Sequence, residues 1–173
     1  MTKHKYGWKT VSLLLLMTTL GSLLTSQGAV QTAVQAARPS SIFLKVDKVS
    51  YLSTSTLKAS VIVDPAGENI NAVGMHMDFD PVYLSVDKVE YATSVCQFII
   101  PEYRDNQKGA LNTACGSPDI QATTSMKVMD ITFTRKQVGW AKINLAGSKV
   151  LAADGLGTDI LDQAEFHRIF LEK

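Results

Sequence analysis

The side chains able to do chemistry are few and scattered. Beyond the first 36 residues the histidines are His76 and His167, and the cysteines are Cys96 and Cys115. A hydrolase would need paired carboxylates, a nucleophile with its base, or a metal. The chain has no His-Glu-x-x-His, no Gly-x-Ser-x-Gly and no clustered metal-ligand spacing. Asp78 and Asp80 stand close enough in sequence for a carboxylate pair. One ends an alternating run and the other begins an Asp-Pro turn, which gives both structural roles. Asp154 and Asp159 flank Gly155 and Gly157, and aspartate oxygens with backbone carbonyls can hold Ca²⁺. The segment lacks the acidic ladder and closing Glu of a calcium loop, so aspartates bonding their own backbone in a tight turn is the preferred reading. No cofactor is expected, with Ca²⁺ at Asp154 and Asp159 the alternative. Trp140 is the only tryptophan past the leader. Sugar rings stack on aromatic faces, which makes Trp140 the centre of any carbohydrate site. Tyr51, Tyr83, Tyr91 and Tyr103 are scattered around it in sequence.

The elements that would position these residues are strands. Between Asn71 and Val89, Val73, Met75, Met77 and Phe79 alternate with Ala72, Gly74, His76 and Asp78, the period of a half-buried strand. Asp80-Pro81 stops the run, since proline removes a ladder donor and turns its predecessor. A second alternation follows, Leu84, Val86 and Lys88 against Ser85, Asp87 and Val89. Similar runs cover Ser41–Asp47, Leu57–Asp64, with Leu57, Ala59, Val61 and Val63 on one face, and Lys127–Thr134, with Met129, Ile131 and Phe133 inward. Shorter ones lie at 98–101, 110–114 and 149–152, with 102–109 a polar loop. Trp140–Leu145 is expected to form a hairpin with the run at 127–134. Residues 164–171 fit a helical face or a closing strand, and the strand agrees better with the rest. About nine short β-runs with regular punctuation predict a sandwich.

The chain opens on a leader. Lys3, Lys5 and Lys9 precede an apolar stretch from Val11 to Leu24, and Val34-Gln35-Ala36 is an acceptable cleavage site, with Gln27-Gly28-Ala29 an earlier one. The competing reading is an uncleaved anchor, the one route by which a membrane would be involved. The expected organisation is a signal peptide or anchor over 1–36, a linker over 37–41 and one domain over 42–173. The leader holds three of the 17 Lys and Arg and none of the 16 Asp and Glu, so the rest carries 14 against 16, a net −2. No basic patch points to nucleic acid. In an exported chain two cysteines point to a disulfide, closing a loop of about twenty residues for roughly 3 kcal/mol. Free thiols or a redox pair are the alternatives, and no Cys-x-x-Cys supports the latter.

Three segments resemble the cohesin family, the β-sandwich modules with which bacterial scaffold proteins capture dockerins. They are NAVGMHMDFDPVYLSVDKV with its Phe79-Asp80-Pro81 turn and Leu84, Met129–Phe133 followed by Gly139 and Ile143, and Ser148–Leu161. The resemblance spans about Ile42 to Leu171, and the Cys96–Cys115 segment is not part of it. It implies a nine-stranded jelly-roll sandwich acting by binding, without catalysis, in a secreted or cell-surface protein. The partner it implies is a dockerin-type or other cell-surface protein, in polysaccharide degradation or surface attachment. By alternation Ala72, Gly74, His76 and Asp78 face outward and are the expected partner-binding row, and replacing His76 and Asp78 by Ala is expected to weaken binding. The alternative is a carbohydrate-binding module that contacts polysaccharide at Trp140.

Overall fold

Alternation along the chain becomes two stacked sheets in the computed structural model, which describes residues 38–47, 55–118 and 122–172. The strands are β1 (Ser41–Asp47), β2 (Thr56–Asp64), β3 (Ile70–Phe79), β4 (Leu84–Tyr91), β5 (Phe98–Asp105), β6 (Ala110–Gly116), β7 (Met126–Arg135), β8 (Gly139–Asn144), β9 (Lys149–Ala152), β10 (Gln163–Ala164) and β11 (Phe166–Leu171). One sheet has the order β10-β1-β2-β7-β4 and the other β11-β8-β3-β6-β5, with β9 also paired to β3. Among the described residues there is no helix. The expected leader, its cleavage sites and Tyr51 lie outside the described residues.

Each sheet turns its apolar face to the other. Leu57, Ala59, Val61 and Val63 of β2 and Val73, Met75, Met77 and Phe79 of β3 are all buried, as their spacing predicts. Met129, Ile131 and Phe133 join them, and Phe79 meets Phe133 edge-on across the layers with ring centroids 5.9 Å apart.

Several local expectations change. β3 and β4 lie in different sheets: the Asp80-Pro81 turn carries the chain from one sheet to the other. Asp80 Oδ1 accepts from the Val82 amide at 3.1 Å, and its carbonyl from Tyr83 and Leu84. Likewise β8 pairs with β11 and β3 rather than with β7, because Gly139 also marks a crossing between sheets. Periodicity reports which face is buried; it does not report which strand lies alongside. β5 extends to Asp105 and leaves only 106–109 as a turn, so the first half of the expected polar loop is edge strand. In β4 a bulge between Val86 and Lys88 breaks the alternation and turns Val89 toward the core. The closing segment is strand, as expected, but divided. Gln163–Ala164 pairs parallel with β1, and Phe166–Leu171 pairs with β8 in the other sheet. Glu165 sits at the crossing, its amide on Ile42, its carbonyl on Leu145 and Oε2 accepting from the Leu44 amide at 2.6 Å.

Candidate docking face

The outward sides of the two sheets differ in kind. On β1, β2, β7 and β4 the exposed positions are Lys45, Asp47, Lys58, Lys127, Asp87, Lys88 and Glu90, with Ser60, Asp130 and Thr132 beside them. Several of these groups satisfy one another. Lys88 lies 2.6 Å from Glu90, and Asp130 accepts from Lys127 at 2.7 Å and from Ser60 at 2.6 Å. The Lys88 hydrogen bond and charge hold Glu90 below the ordinary carboxylate range. A surface of mixed charges, several of them paired, is a solvated face.

On the other sheet the row expected from sequence falls beside a second row without bulk. Ala72 lies opposite Gly116 and Gly74 opposite Ala114, giving a floor of methyl groups and hydrogens. β5 walls this floor on one side with Phe98, Ile100 and Tyr103, which are 68, 63 and 54 % exposed. Lys149 and Leu151 of β9 stand on the other side, and the groove between has a volume of about 540 Å³. Adding a Cβ at Gly74 would meet only the Lys149 Cβ, at 3.9 Å, so nothing in the fold requires a glycine there. Gly116 is different, because a Cβ would come within 2.5 Å of the Asn71 carbonyl oxygen.

The apolar wall is anchored at both ends. Cys96, just before β5, is disulfide-bonded to Cys115 of β6, with Cα atoms 5.0 Å apart and both residues buried. The expected disulfide is therefore present. At the far end Asn106 closes on the β4 bulge, accepting from the Val86 amide at 2.8 Å and donating to its carbonyl at 2.9 Å. Arg104 donates to the carbonyls of Val86 and Asp87. Pro101 and a register shift between Ile100 and Tyr103 interrupt this edge strand, which discourages another strand from pairing with it.

Of the row expected from alternation, Ala72 and Gly74 form the groove floor, while His76 and Asp78 stand at its end. His76 is not simply exposed: its ring lies against Gly147, in the turn between β8 and β9. Its Nε2 is 3.5 Å from Asp78 Oδ2. Sequence reasoning missed Phe98, Ile100, Ala114, Gly116 and Lys149. The Phe98-Ile99-Ile100 run was visible as a strand, but no periodicity says that both its faces stay open at a sheet edge.

The other candidates lie elsewhere. Asp154 accepts from the Leu156 amide at 2.8 Å and from the Thr158 hydroxyl, and the Thr158 bond, with the Leu156 one, holds its carboxyl low. Asp159 accepts from the amides of Val150 and Leu161, both at 3.1 Å. These are turn-closing roles. Among the described residues no three His, Cys, Asp or Glu side chains are grouped to hold a metal ion. Trp140 is exposed on β8, but its neighbours are Phe170 and Arg168 rather than tyrosines. Tyr83 is half-buried over Gly139, and the Tyr91 hydroxyl is 2.7 Å from that of Thr113.

No protein-family model and no curated protein matches this sequence. Solved structures do match. A cohesin module from the family 33 glycoside hydrolase of Clostridium perfringens aligns with TM-score 0.62 at 9% identity, over 76% of this chain and 96% of that one. The sixth cohesin of scaffoldin B from Acetivibrio cellulolyticus, solved in complex with a Cel5 dockerin, gives 0.56 at 14% identity over 76% and 99%. A non-cellulosomal cohesin from the archaeon Archaeoglobus fulgidus gives 0.56 at 12% over 76% and 91%. The two stacked sheets and these alignments agree: the described domain has the cohesin fold.

Proposed function

We propose that this chain is a non-catalytic docking module of the exported or cell-surface kind, and that a dockerin-type partner lays a helix along the groove of β3, β6 and β5. The observation that carries this reading is the floor of Ala72, Gly74, Ala114 and Gly116 beside the exposed wall of Phe98 and Ile100. Small residues let a helix backbone come close, and an apolar wall rewards its large side chains. Isolated apolar residues on a surface are ordinary; a contiguous strip along a groove marks an interaction site. The opposite face, charged and without an exposed apolar strip, offers no such reward. The Acetivibrio cellulolyticus cohesin bound to a dockerin supports the class of partner.

Gly74→Val tests it. The backbone at Gly74 is not in the left-handed region and the added Cβ meets nothing closer than 3.9 Å, so the variant keeps the parent's melting temperature. Its side chain fills the floor, and affinity for purified dockerin modules that bind the parent falls at least about tenfold. A folded Gly74→Val protein that binds those modules as well as the parent refutes the groove as the docking site.

A further inference from the structure

The same sheet carries a second cluster, at its opposite edge and independent of the groove. β8 and β11 set Trp140 opposite Phe170, Lys142 opposite Arg168 and Asn144 opposite Phe166. Trp140, Phe166 and Phe170 are 51, 57 and 41 % exposed. The Trp140 and Phe170 rings are 5.1 Å apart at a tilt of 58°, and the Arg168 guanidinium sits 4.6 Å from the centre of the Trp140 ring.

Two features of this cluster are unfavourable as they stand. Large aromatic faces are left in water, and two cations lie directly opposite each other on an antiparallel pair, where like charges repel. Asp78 and Asp80 line one hollow with Lys142 and Phe166, but neither is ion-paired with Lys142 or Arg168. Asp78 is beside the His76 ring, Asp80 accepts from the Val82 amide, and Glu165 takes the Leu44 amide and lies beside His167. Among the described residues neither Lys142 nor Arg168 is in an ion pair.

We propose that this cluster binds an acidic polysaccharide of the uronate class, its carboxylate between Lys142 and Arg168 and its rings against Trp140 and Phe166. Along β11 a ring, a cation and a ring follow at every second residue, Phe166, Arg168 and Phe170, over roughly 13 Å of strand. A ligand must therefore offer an apolar face and a negative charge in repeating alternation. A chain of uronate rings has both in each unit, whereas an acidic peptide has the charge without the face. Arg168 beside Trp140 serves both needs, since a guanidinium pairs with carboxylate and stacks on an aromatic ring.

Calorimetric titration of the full chain with an oligogalacturonate separates the possibilities. The methyl-esterified oligomer keeps the rings without the charge, and an oligoglutamate keeps the charge without the rings. The expected result is binding of oligogalacturonate that weakens with salt, with both controls at least tenfold weaker. Arg168→Gln, Lys142→Gln and Trp140→Ala each reduce affinity at least tenfold, while Gly74→Val leaves it unchanged. Lys142 is exposed, so its variant keeps the test valid even if Trp140→Ala loosens β11. Equal binding of oligoglutamate would reassign the patch to an acidic protein. Equal binding of the ester, or no heat with any of the three, would overturn the proposal outright.

Discussion

Ser148 and His76 close a reciprocal pair: the Ser148 hydroxyl accepts from the His76 amide at 3.0 Å and donates to the His76 carbonyl at 3.1 Å. β3 needs this. β9 pairs with it from Ile70 to Gly74 and β8 from Asp78 to Phe79, so the peptide groups between lack a strand partner on that side. One buried hydroxyl takes the place of the missing strand, and the same turn brings Gly147 against the His76 ring. Ser148→Ala leaves two backbone groups unpaired at a largely buried site and costs about 1–3 kcal/mol. The melting temperature should fall by several degrees; an unchanged value would mean that water replaces the hydroxyl without loss.

The disulfide supports stability and the groove wall together. It closes a loop with a sequence separation of 19, for which the chain-entropy model gives about 3 kcal/mol. Replacing Cys96 and Cys115 together by Ala should lower the melting temperature and speed amide exchange at Phe98–Ile100 more than at β2 or β7. The far end of β5 should stay protected, because Arg104 and Asn106 hold it to β4 without the disulfide. Uniform acceleration over the whole sandwich would show that the disulfide acts only globally.

What could be read from the sequence follows from what alternation encodes. Val73, Met75, Met77 and Phe79 face the core because a strand with one buried face must alternate, and Ala72, Gly74, His76 and Asp78 follow onto the other side. Pairing is different. Gly139 looks like a hairpin turn, yet the chain there leaves one sheet for the other, because long-range packing decides which edges meet. The groove was half legible for the same reason. β3 supplies the half of the floor that one strand's periodicity can reveal, whereas the other half comes from β6 and the walls from β5 and β9, which no local pattern places beside it. Trp140 was singled out by its type; that Phe166, Arg168 and Phe170 surround it depends on the register of β11 with β8.

The polar face makes a prediction about acid. Burial alone pushes the Asp130 carboxyl up, but hydrogen bonds from Lys127 and Ser60 outweigh it, and the group titrates below the ordinary aspartate value of 3.8. A carboxyl depressed in the folded state adds stability that is fully present above its unfolded pKa and disappears as pH falls through the folded one. The contribution of Asp130 is therefore in place at neutral pH and is lost below about 3.8. Both partners of the Lys127 pair are partly in water, so the amount is under about 1 kcal/mol. Ser60→Ala removes one of the two hydrogen bonds that depress the carboxyl. It should raise the Asp130 pKa, read by carboxyl-carbon NMR, and it should cost more stability at pH 6 than at pH 2. The melting curves of parent and variant thus converge on acidification. A gap that stays constant with pH would show that Ser60 stabilises β2 against β7 through packing rather than through the charge on Asp130.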